Sequence, residues 1–367
     1  MRVLHLGKFY PPHRGGIESH LQTLCEGLAT SLAVEVVVAN GSPRDVTDMI
    51  NGVSVRRLAQ RALLSSAPIC PSLINYLRQS PADLIHLHTP NPFAMLALLL
   101  SGNRAPLVIS WHSDIVRQRL AYRVFAPIER ALLRRAVAII TSSAEYLASS
   151  PVLRDFRERC VVIPYGICPR DFVSPDSTKV AHARVNYGSR IVLAVGRFVY
   201  YKGFADLIRA MRTVDAMLLL AGAGPLLRRL ERVAEAAGVV DKVVFLGELA
   251  PADLIACYHA ADLFVLPAIA RSEAFGIVQV EAMAAGLPVV NTSIDSGVPA
   301  VSLDGLTGIT VAPRAPDSLA SAINRLLSDP ALRARYGDSG RRRVREHFDA
   351  ATMVARTLVL YQRVLEH

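Results

Sequence analysis

A chain of 367 residues is long enough for two cores, and its 51% hydrophobic content fits a well-packed folded protein. Its formal net charge is +10 and uneven, with 19 basic against 11 acidic residues in 1–170 and 22 against 20 in the remainder. The longest apolar run, Pro92 to Leu100, falls short of the roughly 20 residues of a membrane span, and five scattered cysteines without a C-x-x-C pair exclude a disulfide framework or a zinc site.

In chain order, "RVLHLG" reads as a buried strand rather than a signal peptide, so a cytoplasmic protein is expected. Strands are expected at Val3–Leu6, Val34–Ala39, Leu84–His88, Leu107–Ser110, Ala138–Thr141 and Cys160–Ile163. Helices fit between them, notably Glu18–Ser31 and Asn91–Leu100. Runs apolar on both faces imply parallel sheet covered on both sides. "LAYRVFAPIERALLRRA" carries Arg123, Arg130, Arg134 and Arg135, with Leu120, Val124, Ile128, Leu132 and Leu133 at roughly helical spacing and Pro127 interrupting it. A basic amphipathic helix of this kind either rests on an anionic membrane surface or is a domain helix with a solvated arginine face.

The alternation then restarts. "RIVLAVGR" is a strand, "GFADLIRAMRTV" a helix, "AMLLLAGAG" a strand and "PLLRRLERVAEAAG" a helix closed by Gly238. "KVVFLG", "PADLIACYHA", "DLFVLPA", "GIVQVEAMAAG", "LPVVNT" and "TGITVAP" continue the pattern. Two doubly wound α/β domains follow, 1–168 and 169–348, with the proline-rich Pro164–Asp176 as hinge and a last helix over 349–367. Domains of this kind in series are expected to face each other across a cleft lined by strand carboxyl ends, where ligands bind. The basic run Arg341 to Glu346 reads as a solvated helix face, so no nucleic-acid partner is expected. Neither "LGKFYPPHRGG" nor "AGAGPLLRRL" has the G-x-G-x-x-G spacing of a dinucleotide dehydrogenase.

Three glycine-containing corners follow strands. In "KFYPPHRGGIESH", Gly15 and Gly16 permit close backbone approach at a helix start, the geometry of an anion site or simply of a turn. In "VGRFVYYKGF", Arg197 and Lys202 flank a strand–helix loop and could neutralise a diphosphate. In "RSEAFGIVQVEAMAAG", Glu273 precedes a helix that begins at Gly276, and Glu281 lies inside it. Were the stretch one unbroken helix, eight residues would separate the two acids by about 12 Å, beyond the roughly 5–9.5 Å of glycosidase acid pairs. Two acids that hold hydroxyls fit this spacing better than one catalytic dyad. His86 and His88 share one face of a strand, but no acidic third ligand lies close in sequence, so no metal site is expected.

Glu273 and Glu281 as E-x7-E, "GGIE" near the start and "GRFVYYKGF" opening the second half resemble the group 1 retaining glycosyltransferases, from Met1 to about Phe348. That resemblance implies the GT-B fold of two Rossmann-like domains, and a terminal helix that crosses back to the first. It also implies residue roles. Glu273 would hold donor-sugar hydroxyls with the amides of Phe275, Gly276 and Ile277 beside it, and Glu281 would bind the ribose. Arg197 and Lys202 would bind the diphosphate, with Gly15 and Gly16 approaching it from the first domain. His112 in "SWHSD" would sit near the sugar's C6 hydroxyl or be a structural histidine, and Asp114 would orient His112 or contact the acceptor. No cofactor or metal is implied, and no D-x-D motif occurs. The wording around the three motifs is similar to bacterial O-antigen and surface-polysaccharide enzymes. A GDP-mannose or related GDP-hexose donor and a polyprenyl-diphosphate-linked or oligosaccharide acceptor are therefore expected, with peripheral contact to the inner face of the membrane. A UDP-sugar-dependent transferase and a sugar-nucleotide epimerase of the same fold are the alternatives.

Overall fold

The computed structural model describes residues 1–13, 15–64, 67–114 and 119–366, and within these the side chains of 119–124 stay outside the description. The chain divides into two compact units, Met1–Gly166 with Ala350–His367, and Ile167–Asp349.

The first unit is built on a sheet formed by β1 (Arg2–Leu6), β2 (Ala33–Asn40), β3 (Val46–Ile50), β4 (Val53–Ala59) and, after a small antiparallel ribbon of β5 (Ala62–Leu64) and β6 (Ala67–Ile69), by β7 (Leu84–Thr89), β8 (Leu107–Trp111), β9 (Ala138–Thr141) and β10 (Cys160–Val162). The order β10-β9-β8-β7-β1-β2-β4-β3 is parallel except for β3, which runs antiparallel to β4 at the edge. The central strands β7 and β8 are buried along their whole length, as in a parallel sheet covered on both faces, although β7 carries His86 and His88. The region 46–59 was not expected to form strands. Its charged residues Asp48, Arg56 and Arg57 mask the periodicity, and β3 is almost wholly exposed, as an edge strand can be.

Helix Gly16–Leu28 buries His20, Leu21, Leu24, Cys25 and Leu28, one stripe at helical spacing. The terminal helix Ala350–Glu366 packs against it and buries Met353, Thr357, Tyr361 and Val364. A Cβ on Gly27 would lie 2.5 Å from Val354 Cγ2, so glycine is what lets the two helices approach. Helix Arg119–Arg135 runs unbroken through Pro127, which was expected to interrupt it. A helical proline forfeits one backbone hydrogen bond but need not end the helix. Of its basic residues, Arg135 donates to Ala105 O at 3.0 Å, Arg130 and Arg134 are exposed, and the side chain of Arg123 lies outside the described residues.

The second unit carries β11 (Ile191–Val195), β12 (Met217–Ala221), β13 (Val243–Gly247), β14 (Leu263–Leu266), β15 (Val289–Thr292) and β16 (Gly308–Val311). They form an all-parallel sheet ordered β13-β12-β11-β14-β15-β16. The chain winds outward from β11 in one direction and from β14 in the other, so the topological switch point lies between these two strands. Arg343, expected on a solvated face, instead donates to Val301 O at 2.9 Å and Ala300 O at 2.7 Å, binding carbonyls at the end of the short helix Val298–Val301.

Candidate functional site

In a doubly wound sheet the loops after the two strands flanking the switch point diverge, leaving a crevice at their carboxyl ends. In the second unit those loops carry the expected residues. After β11 come Gly196 and the exposed Arg197, then a single 3₁₀ turn, Tyr200–Lys202, closed by Gly203 at φ 70°. A side chain at Gly203 would meet Pro267 O at 1.9 Å, so only glycine fits this corner. After β14 comes the loop bearing Glu273. The two loops are stitched together: Ile269 N–H donates to Tyr201 O at 2.8 Å, and the Tyr200 and Ser272 hydroxyls lie 3.2 Å apart.

Lys202 Nζ sits 2.8 Å from Glu273 Oε2, both residues only 8% exposed. A charge pair this buried adds little net stability, because desolvation offsets the attraction. Its effect is to fix the ammonium in place. The Cβ position of Gly196 lies 3.1 Å from that Nζ, so the cation is held beside the backbone that leads into Arg197. For the Arg197 guanidinium no ion pair is recorded among the described residues.

The stretch 271–286 is not one helix. Glu273 lies in the loop, and the helix runs Ile277–Ala284 from Gly276, whose φ of 73° sets the turn. Ile277 and Val278 are first-turn residues, so their amides lack intrahelical acceptors. Phe275 is buried edge-on against Phe348, ring centroids 5.7 Å apart. Glu281 Oε2 accepts a 2.7 Å hydrogen bond from Tyr258 Oη. Burial pushes the Glu281 carboxyl up to about 6, against the opposing pull of the Tyr258 hydrogen bond and the Lys202 charge. Lys202 thus acts electrostatically on both acids.

Behind this helix lies a polar network that sequence reasoning missed. Buried Gln279 donates to Phe275 O (3.2 Å) and Val298 O (3.3 Å). Buried Asn291 on β15 donates to Gln279 Oε1 (2.9 Å) and accepts from Thr310 Oγ1 (2.7 Å). Gly297 N–H donates to Ala274 O at 2.8 Å. These bonds hold the 273–276 loop from below. The only sequence signal was two amides in otherwise apolar runs.

In the first unit, Gly15 precedes helix Gly16–Leu28 in extended conformation, φ 175°, and its carbonyl accepts from Ser19 N–H at 2.9 Å. His112, just past β8, is buried, with Nε2 3.0 Å from His88 Nδ1 and Nδ1 bonded to Tyr165 Oη. Both ring nitrogens are therefore engaged. Asp114 is not what orients it: Asp114 Oδ1 accepts from Trp111 Nε1 (2.9 Å) and Ser150 Oγ (2.8 Å). His86 and His88 belong to a larger buried set with His5 and His20. Two triads among these five rings, His5–His86–His88 and His20–His88–His112, have nitrogens within 4.8 Å of one another. No single strand's sequence could show this, because β1, β7, β8 and a helix each contribute.

The comparisons with known proteins decide what scaffold this is. Residues 178–343 match the family model "Glycosyl transferases group 1", and residues 15–166 match "Glycosyl transferase 4-like domain". The chain is 32% identical over 371 residues to O-antigen chain mannosyltransferase C of Escherichia coli, covering 100% of this chain and 99% of the relative. The chain belongs to the group 1 glycosyltransferases. It is also 32% identical over 354 residues to D-rhamnosyltransferase WbpZ of Pseudomonas aeruginosa, covering 95% and 93% of the two chains. Among solved structures, sucrose-phosphate synthase from Thermosynechococcus elongatus superposes with a TM-score of 0.83 at 24% identity, covering 100% of this chain and 99% of that one. This glycosyltransferase has the GT-B fold.

Proposed function

We propose that the enzyme transfers a manno-configured hexose, with retention of configuration and without a metal, from GDP-mannose or a related GDP-hexose to a lipid-linked or glycan acceptor in cell-surface polysaccharide synthesis. The observation that carries this is the Lys202 ammonium, pinned by Glu273 beside Gly196–Arg197 at the switch point, with Glu281 on the adjoining helix. The sugars support the donor: the two relatives transfer mannose and D-rhamnose, its 6-deoxy form, so both act on the manno ring.

In this reading Arg197 and Lys202 bind the diphosphate, and negative charge grows on its departing oxygen as the bond to the anomeric carbon breaks. The Lys202 ammonium, already held by Glu273, stabilises that charge without reorganising, and the exposed Arg197 adds to it. The acceptor oxygen bonds to the anomeric carbon from the face the phosphate leaves, and its proton passes to a leaving phosphate oxygen. No protein base is needed. Glu273 and the Phe275–Ile277 backbone hold the sugar, Glu281, oriented by the Tyr258 hydroxyl, holds the ribose, and Gly15 and Gly16 serve the donor from the first unit.

An open surface depression of about 540 Å³ is lined by Arg130, Arg134, Arg154, Arg157 and Arg159 with Asp155 and Glu158, and its excess of cations supports contact with an anionic membrane bearing the acceptor. No described helix is long and apolar enough to cross a membrane. The test is GDP-mannose turnover with and without a polyprenyl-diphosphate-linked glycan in anionic vesicles. Sugar transfer that requires the acceptor is expected. Acceptor-independent isomerisation of the sugar nucleotide would establish the epimerase instead.

A further inference from the structure

Five histidines, His5, His20, His86, His88 and His112, lie buried together in the first unit, and buried polar atoms as a rule find partners. Three rings find theirs in each other. His5 Nδ1 lies 3.0 Å from His88 Nε2, and His88 Nδ1 lies 3.0 Å from His112 Nε2. The ends of this row are phenols: His112 Nδ1 bonds Tyr165 Oη, and His5 Nε2 lies 3.4 Å from Tyr361 Oη on the terminal helix. Tyr361 Oη is also 2.5 Å from His86 Nδ1, and His86 Nε2 is 2.7 Å from Ser110 Oγ. Burial keeps the rings neutral, with His5 and His20 pushed down to about 3 and the other three well below their usual value.

A neutral imidazole carries one N–H and one lone pair. If His112 donates from Nε2 to His88 Nδ1, then His88 must donate from Nε2 to His5 Nδ1, and His5 must donate from Nε2 towards Tyr361. If the first bond runs the other way, all three rings carry the proton on Nδ1 and His112 donates to Tyr165. Any mixed arrangement sets two N–H groups, or two lone pairs, face to face in a dry interior, which leaves buried polar atoms unpaired.

We propose that His5, His88 and His112 form one hydrogen-bonded row of shared direction, capped by Tyr361 and Tyr165, which fixes a single tautomer for all three rings and so decides whether His112 Nδ1 donates or accepts at Tyr165 Oη. The packing of Tyr361 against the row ties the terminal helix to that setting. Metal binding by either triad is the competing occupant. Each triad includes two rings already bonded to each other, His5 with His88 or His88 with His112, so an ion would compete with those bonds and would be buried among ligands without a carboxylate.

The test is nitrogen-15 NMR of the full chain labelled at histidine, at pH 7, with rings assigned through His5→Gln, His88→Gln and His112→Gln. The same tautomer is expected on all three rings, and Tyr165→Phe should shift the His88 and His5 nitrogens together with those of His112. Unlike tautomers among the three, a charged ring, or saturable Zn²⁺ binding that shifts these resonances would overturn the row.

Discussion

Lys202 and Arg197 are both cations near a strand end, yet their substitutions should differ. Arg197 is exposed, so Arg197→Ala is expected to lower kcat about 100-fold or more with an unchanged melting temperature. Lys202 neutralises buried Glu273. Lys202→Ala should therefore lose transfer and also about 3 kcal/mol of stability, read by urea unfolding, and Lys202→Ala with Glu273→Gln should recover much of the stability without the activity. Equal stability of the two single variants would contradict the pairing. Glu281 brings a pH dependence. Its carboxyl is raised to about 6 in the native state against 4.5 normally, so it takes up a proton near pH 6 and loses acceptor capacity for ribose hydroxyls. Nucleotide affinity is expected to fall as pH drops through about 6, more steeply in the wild type than in Glu281→Gln. Parallel pH profiles would remove Glu281 from the ribose.

At the scale of elements, the loop after β14 depends on one left-handed residue. A Cβ on Gly276 would lie 2.6 Å from Leu266 Cδ2 and 2.9 Å from Gln279 Nε2, at φ 73°. Gly276→Ala is expected to cost about 1–3 kcal/mol and to weaken donor binding, measured by thermal unfolding and by KM; an unchanged KM would show that the loop does not hold the donor. Much at this scale was legible from sequence. Apolar runs such as Ile191–Val195 and Leu263–Leu266 are buried on both faces, so they stand out against any background. Arg197, Lys202, Glu273 and Gly276 were legible because strand-end loops with glycine punctuate those runs. Tyr258, Gln279 and Asn291 were not, since a hydrogen bond from one helix to a neighbouring helix or strand leaves no spacing rule within either. The edge strand β3 was missed because nothing buries it. Pro127 misled because a proline weighs against a helix locally, while its packing does not show in sequence.

For the whole molecule, the histidine set makes the first unit sensitive to acid. All five rings are neutral in the native state, whereas unfolded histidines take up a proton near 6.5. Unfolding thus binds protons below pH 6.5, so this contribution to stability is complete above that pH and is lost as pH falls towards 3. Each ring contributes about 1.4 kcal/mol per pH unit in that window. The urea midpoint is expected to drop steeply between pH 6.5 and 5, with hydrogen exchange rising first in β1, β7 and β8. A flat profile would mean the rings are already charged in the native state.

The β11–β14 switch point is proposed to hold a nucleoside diphosphate through the pinned Lys202 and the exposed Arg197. Calorimetric titration of the wild type and Arg197→Ala with GDP, UDP and ADP reads that binding. GDP is expected to bind at least tenfold tighter than UDP or ADP, and Arg197→Ala to weaken it at least tenfold. Binding of all three nucleotides that is weak and indifferent to Arg197 would mean that these cations do not hold the diphosphate.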